Sequence, residues 1–207
     1  MGTDISGFVE CRAWRFHEED GEASTWGAAI DMFFLDITRN YDAFRCLFGV
    51  RNYAGFQPLA AERGLPADAS ETVRAEFGRW PGEVFGATWI TCAEVKRVDW
   101  DEPAETTDRR VHRYQRTDEG LRYVGKAVWD AAHAEALGSP DATSDPVEGR
   151  PEGTEWTVGD TVFRVRKIRR RDAVRPGGEW QPVWTVMEAL ASLHGDDNVR
   201  LVVWFDN

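Results

Sequence analysis

The run VRLVVWF at 199–205 does most to limit what this chain can fold into. An apolar run of that length, broken only by Arg200, suits a strand buried on both faces, which belongs inside a sheet with cover on either side. The segment before it, PVWTVMEALASLH at 182–194, repeats Val183, Val186, Met187, Leu190 and Leu193 at helical spacing, and Gly195 ends it. Residues 3–14 alternate and are rich in β-branched and aromatic types, so they read as a strand. Residues 15–25 read as a hairpin loop, and 26–37 as a second strand antiparallel to the first. Two strands at 109–116 and 120–129 flank Asp118-Glu119-Gly120, and Trp156 to Arg169 reads as a hairpin turning at Gly159-Asp160.

The helices are short. Asn40 is placed to cap one that carries Asp42 in its first turn and stops at Gly49. Ser70 caps another, ending near Trp80, and Thr91-Cys92-Ala93-Glu94 is a capping box opening a helix to about Val98. Residues 130–137 are Ala-rich and helical. Strands outnumber helices and tight turns join several of them. The expectation is an α+β fold, a mainly antiparallel sheet with several short helices packed on it. The 207 residues suit a single domain over 1–207, with the polar, Pro/Gly-rich stretch 138–154 as a mobile loop.

Charge narrows the partners. A net charge of −11 argues against nucleic acid and against anionic membrane surfaces, and leaves a protein partner or a small anionic ligand in a locally basic pocket. The basic run from Arg164 to Arg175 is expected to pair with surface carboxylates or to hold one small anion. Cys11, Cys46 and Cys92 are far apart and odd in number, which suits buried thiols in a reducing compartment. Residues 1–15 contain no apolar core of a signal peptide, and no apolar run reaches the roughly 18–20 residues of a membrane span, so a cytoplasmic location is expected. Met1-Gly2 followed by Ser6 fits the loose myristoylation pattern, although the same residues begin a good strand.

No P-loop, dinucleotide fingerprint, nucleophile elbow or zinc-protease motif is present, so no cofactor and no metal site are expected. His17, His112, His133 and His194 have no metal-ligand spacing and read as structural or solvated. Asp4 and Glu10 lie an even number of residues apart and point to one face of the first strand. They could serve acid–base chemistry as a pair, or simply form a solvated strand face. Asp42 is a third carboxylate candidate, sharing a helix face with Arg45.

The long connection 50–69 is rich in Gly and Pro yet carries Tyr53, Phe56 and Leu59. A connection of this length is usually functional or disordered, and its aromatic content argues that it packs. Arg51, Asn52 and Arg63 in it, with Trp89 beyond, could hold an anionic or amide-bearing ligand by guanidinium forks and ring stacking. The same arginines could instead pin the loop to carboxylates and carbonyls. The expected function is a small-molecule site, binding or catalytic, between the first strand and the 50–66 loop. The alternative is a non-catalytic interaction or inhibitor protein, supported by the acidic charge and the ten tryptophans.

Five blocks occur in order: M-G-x-D-I at 1–5, N-Y-D-x-F at 40–44, V-R-N at 50–52, P-L-A-A-E-R-G-L-P at 58–66 and W-I-T at 89–91. They resemble a family of uncharacterised small proteins of phages and actinobacteria. WTVGD near Trp156 and the closing WFDN extend the likeness to the actinobacterial members. The resemblance implies a place for a site rather than a chemistry. Members of that family carry histidine after M-G-x-D-I and again before W-[IL]-T, where this chain has Ser6 and Phe85. An Asp-x-His pair of that kind could hold a divalent metal. This chain retains Asp4 alone of the set, which implies a diverged or re-purposed member.

Overall fold

The computed structural model describes residues 2–12, 25–37, 39–138, 147, 150–174 and 177–207. The hairpin loop expected at 15–25, His17 within it, most of 138–154 and Arg175 lie outside the described residues. Two antiparallel four-stranded sheets and six short α-helices make an α+β structure. The chain forms two compact units. The first comprises Met1–Asn52, Gln57–Asp101 and Arg170–Asn207, the second Tyr53–Phe56 and Glu102–Arg169.

The first unit is built on β1 (Asp4–Arg12), β2 (Trp26–Asp31), β3 (Val84–Thr91) and β8 (Val199–Asp206), in the order β2-β1-β8-β3. The apolar run at the end of the sequence is therefore an inner strand, and its residues from Val199 to Phe205 are all buried. Alternate residues of a strand point to opposite faces. Phe205 meets Phe44 and Phe48 of α1 (Tyr41–Phe48), and α6 (Gln181–His194) packs on β1 and β8. Val202 and Trp204 join Phe8, Ala69 and Val73, bringing α2 (Glu71–Phe77) onto the other face. The caps form where the side chains foretold them. Asn40 accepts from Ala43 N–H, Ser70 from Val73 N–H, and Thr91 and Glu94 complete a capping box on α3 (Cys92–Val95).

The second strand is shorter than its composition suggests. Asp31 accepts the N–H of Phe33, and residues 32–35 wind into a 3-10 turn that ends with Asp36 in the left-handed region. This turn leaves Phe33 and Phe34 in water, 83% and 74% exposed. Two elements were not anticipated, β3 and the single turn α5 (Arg170–Ala173). β3 carries a bulge between Phe85 and Thr88, where Gly86 takes a φ of +62°.

Gly7 holds β1 tightly against β8. A Cβ there would overlap the Val202 carbonyl oxygen and stand 2.9 Å from Val203 Cα. Both obstacles are backbone of the central strand and cannot rotate away. Gly7→Ala is expected to lower the urea midpoint by an amount equivalent to about 1–3 kcal/mol.

The second unit orders its strands β5-β4-β7-β6, from β4 (Val111–Thr117), β5 (Gly120–Ala127), β6 (Glu155–Val158) and β7 (Thr161–Arg164). Val111, Val147, Trp156, Phe163 and Val165 form its core. His133 of α4 (Ala131–Ala136) is buried, and its Nδ1 accepts the Trp156 indole N–H at 3.3 Å. Burial holds its pKa below the ordinary histidine value, against the pull of Asp130. His112 is also buried. Its Nε2 lies 3.3 Å from Asp108, which Lys126 meets from β5. Both histidines are core residues with polar partners rather than solvated ones.

Candidate functional site

The carboxylates singled out on β1 meet different fates. About 3.3 Å per residue separates Asp4 and Glu10 by about 20 Å along the strand, so they do not act as a pair. Asp4 is half exposed, and both its oxygens accept from Arg39. That hydrogen bond and the guanidinium charge keep its pKa below the usual carboxylate range despite some desolvation. Glu10 is not on a solvated face at all. It is fully buried, accepts the Arg200 Nε–H at 2.7 Å and takes the Ser70 backbone N–H at 2.7 Å. Asp42 sits 3.6 Å from Arg45 in an almost buried i,i+3 pair.

Arg200 anchors a network that the sequence reading missed. Its guanidinium lies 3.8 Å over the Trp26 ring and donates to Asp68 Oδ1 at 2.7 Å as well as to Glu10. Asp68 Oδ2 accepts the Trp26 indole N–H at 2.9 Å. Desolvation works to raise the Asp68 pKa, but the hydrogen bond and charge of Arg200 outweigh it and the net shift is downward. Charge and ring contacts together fasten the start of α2 to β1 and β8.

The arginines of the long connection have partners within the first unit. Arg63 grips Glu94 with both terminal nitrogens, at 3.0 and 2.9 Å, and donates to the carbonyls of Trp89 and Leu59. Its guanidinium lies 5.2 Å over the Trp89 ring. Arg51 takes a left-handed φ of +55°, donates to Thr3 Oγ1 at 2.7 Å and covers the Tyr41 ring at 4.9 Å. Asn52 follows it, half-buried. Arg63 and Trp89 are thus brought together. Arg51 is engaged by Thr3 and the Tyr41 ring instead. The later basic run is also engaged, Arg164 with Glu155, Arg171 with Asp101 and Arg170 with the carbonyls of Cys46 and Gln57.

A cleft of about 720 Å³ opens on the α2 face of the first unit's sheet. Ser6, Gly7 and Phe8 of β1 and Trp204 of β8 line it from the sheet. Asp31 and Phe33 contribute from the 3-10 turn, and Glu76, Trp80 and Glu83 from the end of α2 and the turn after it. A smaller hollow of about 260 Å³ shares Ser6, Asp31 and Phe33 and reaches Ile37. Among the described residues no group of three His, Cys, Asp or Glu side chains is placed to hold a metal ion, and no helix is long and apolar enough to cross a membrane. None of the three cysteines forms a disulfide. Burial raises the Cys11 and Cys92 thiols above their ordinary pKa, so neither is an activated nucleophile.

Compared with protein-family models, with curated proteins and with solved structures, the chain matches none.

Proposed function

We propose that this chain is a small-molecule-binding protein whose site is the cleft on the α2 face of the first unit. One observation carries the reading. Phe33 and Trp80, 83% and 52% exposed, stand at a concavity of ligand size rather than scattered over a convex surface. Ligand pockets measure about 300–1,000 Å³ and combine apolar walls with a few polar groups. A molecule seated there would remove from water the rings that folding leaves wet. An anion held by Arg51 and Arg63 is less well supported, because it would have to displace Thr3 from one and Glu94 from the other. No nucleophile or general base stands out at the cleft, so binding is the activity proposed.

The second reading is a protein-interaction surface. Phe33 and Phe34 favour it, packed edge to face at 5.6 Å and both exposed beside the cleft. A fragment screen by ligand-observed NMR, run with wild type and Trp80→Ala, separates the two. The ligand reading expects a set of fragments to bind wild type and to lose their signal changes with the variant, which should keep its fold because Trp80 is exposed. Fragments that bind both proteins alike would remove the cleft as the site and leave the interaction surface.

A further inference from the structure

We propose that the cleft's ligand is an organic cation with an apolar or flat body and an oxygen acceptor, a class opposite in charge to the anion that the arginines suggest. This rests on the cleft being the binding site. Four of its twelve lining residues are carboxylates, Asp31, Glu76, Glu83 and Asp206, and none is Lys, Arg or His. Two of the four are partly committed. One Asp31 oxygen caps Phe33 N–H, and Glu76 meets Arg79 at 2.9 Å in an exposed i,i+3 pair of the kind that contributes little. Asp206 lies in the field of Arg39, without a hydrogen bond to it among the described residues. Glu83 has no ion pair there. Among the described residues the lining therefore carries more negative than positive charge, offset only in part by Arg79 and Arg39 from outside it.

The rings strengthen the same preference. Phe33, Trp80, Phe8 and Trp204 present aromatic surface beside the carboxylates, and ring faces attract ammonium and guanidinium groups, most strongly where water is displaced. Trp204 adds a second, independent pointer. It is 2% exposed, packs on Phe8 and Phe77 and lines the cleft, and no described residue accepts its indole N–H. A donor in a cleft lining that no protein group accepts leaves a place for an acceptor on a ligand. The Ser6 hydroxyl lies in the same lining. The carboxylates come from four separate segments and form no metal-ligand group. That spread suits a molecule with charge at one end and oxygen at the other better than a bare ion.

Three probes of one shape test the proposal by calorimetry on the full chain: phenoxyethylamine, phenoxyethanol and phenoxyacetate. The amine should bind at least about tenfold more tightly than the alcohol, the acetate should be weakest, and added salt should weaken the amine most. Glu83→Gln combined with Asp206→Asn should bring the amine down to the alcohol's affinity. Trp80→Ala should weaken amine and alcohol alike. Equal affinity for amine and alcohol, both lost in Trp80→Ala, would overturn the cation and keep the cleft as a site. Tightest binding by the acetate, indifferent to Trp80→Ala, would overturn both, as would no binding of any probe at millimolar concentration.

Discussion

Arg200→Met should destabilise the first unit by about 3–5 kcal/mol, the usual cost of leaving one member of a buried ion pair alone. Glu10 is fully buried, and Arg200 is its cationic partner, with a side chain only 3% exposed. Methionine would fill the stem of the arginine but leave the Glu10 carboxylate without its charge partner. Glu10→Leu combined with Arg200→Met should recover much of the loss, because two apolar side chains need no compensation there. Recovery should stop short of wild type. The Ser70 N–H would lose its acceptor, and an unsatisfied buried donor costs about 1–3 kcal/mol. Asp68 should tolerate the change better, since its side chain is 57% exposed and water can replace the guanidinium. Amide exchange of β1 and β8 reports on this unit alone. A double variant no more protected than Arg200→Met would show that the pair does not act through charge.

Asp108→Asn should produce the other large effect, in the second unit, and should also flatten its acid response. The Asp108 side chain is 2% exposed and is met by Lys126, His112 and the Arg110 N–H. Desolvation pushes its pKa up, but the hydrogen bond with His112 and the charge and hydrogen bond of Lys126 win, and the net shift is strongly downward. A carboxyl with a depressed folded pKa contributes stability above its unfolded value, about 3.9, and loses it as pH falls toward the folded value. The wild-type second unit should therefore weaken progressively below about pH 4–5. Asparagine removes that dependence and leaves Lys126 half-buried without its carboxylate, at a cost of about 3 kcal/mol at neutral pH. Thermal unfolding followed at the Trp156–His133 contact, from neutral pH down to pH 3, reads both effects. A variant with the same acid slope as wild type would show that Asp108 is not the titrating group.

Much of the fold was written in local signals. Asn40, Ser70 and the Thr91–Glu94 box lie within three residues of the N–H groups they satisfy, so spacing alone reveals them. The buried run at 199–205 likewise announces an inner strand. What remained hidden was long-range. Arg200 interrupts that run, and a charge on a doubly covered strand demands a partner, but no spacing names a carboxylate 190 residues away. β3 escaped notice because Gly86 and its bulge break the alternation of its residues. α5 has four residues, too few for a helical period. Phe33 and Phe34 read as strand because they are apolar, whereas the Asp31 cap decides their conformation. Arg63 looked available to a ligand until the capping carboxylate of Glu94 proved to be its partner, 31 residues on. The cleft could not be foreseen, since its lining comes from segments scattered over two hundred residues.

The place of β8 in the sheet also governs when the first unit can be born. This strand leaves the ribosome after every other element described, yet it lies between β1 and β3 and joins them. Cys11 of β1 must wait for Val199, its register partner. At about 5–20 residues per second that delay is roughly ten to forty seconds. During it, Phe8, Val9 and their neighbours have no inner strand to cover them. The residues of the second unit from Glu102 to Arg169 are complete before β8 exists. The unit inserted in the sequence is thus completed early and the other late, and nascent β1 is the stretch that a holding chaperone would have most reason to shield.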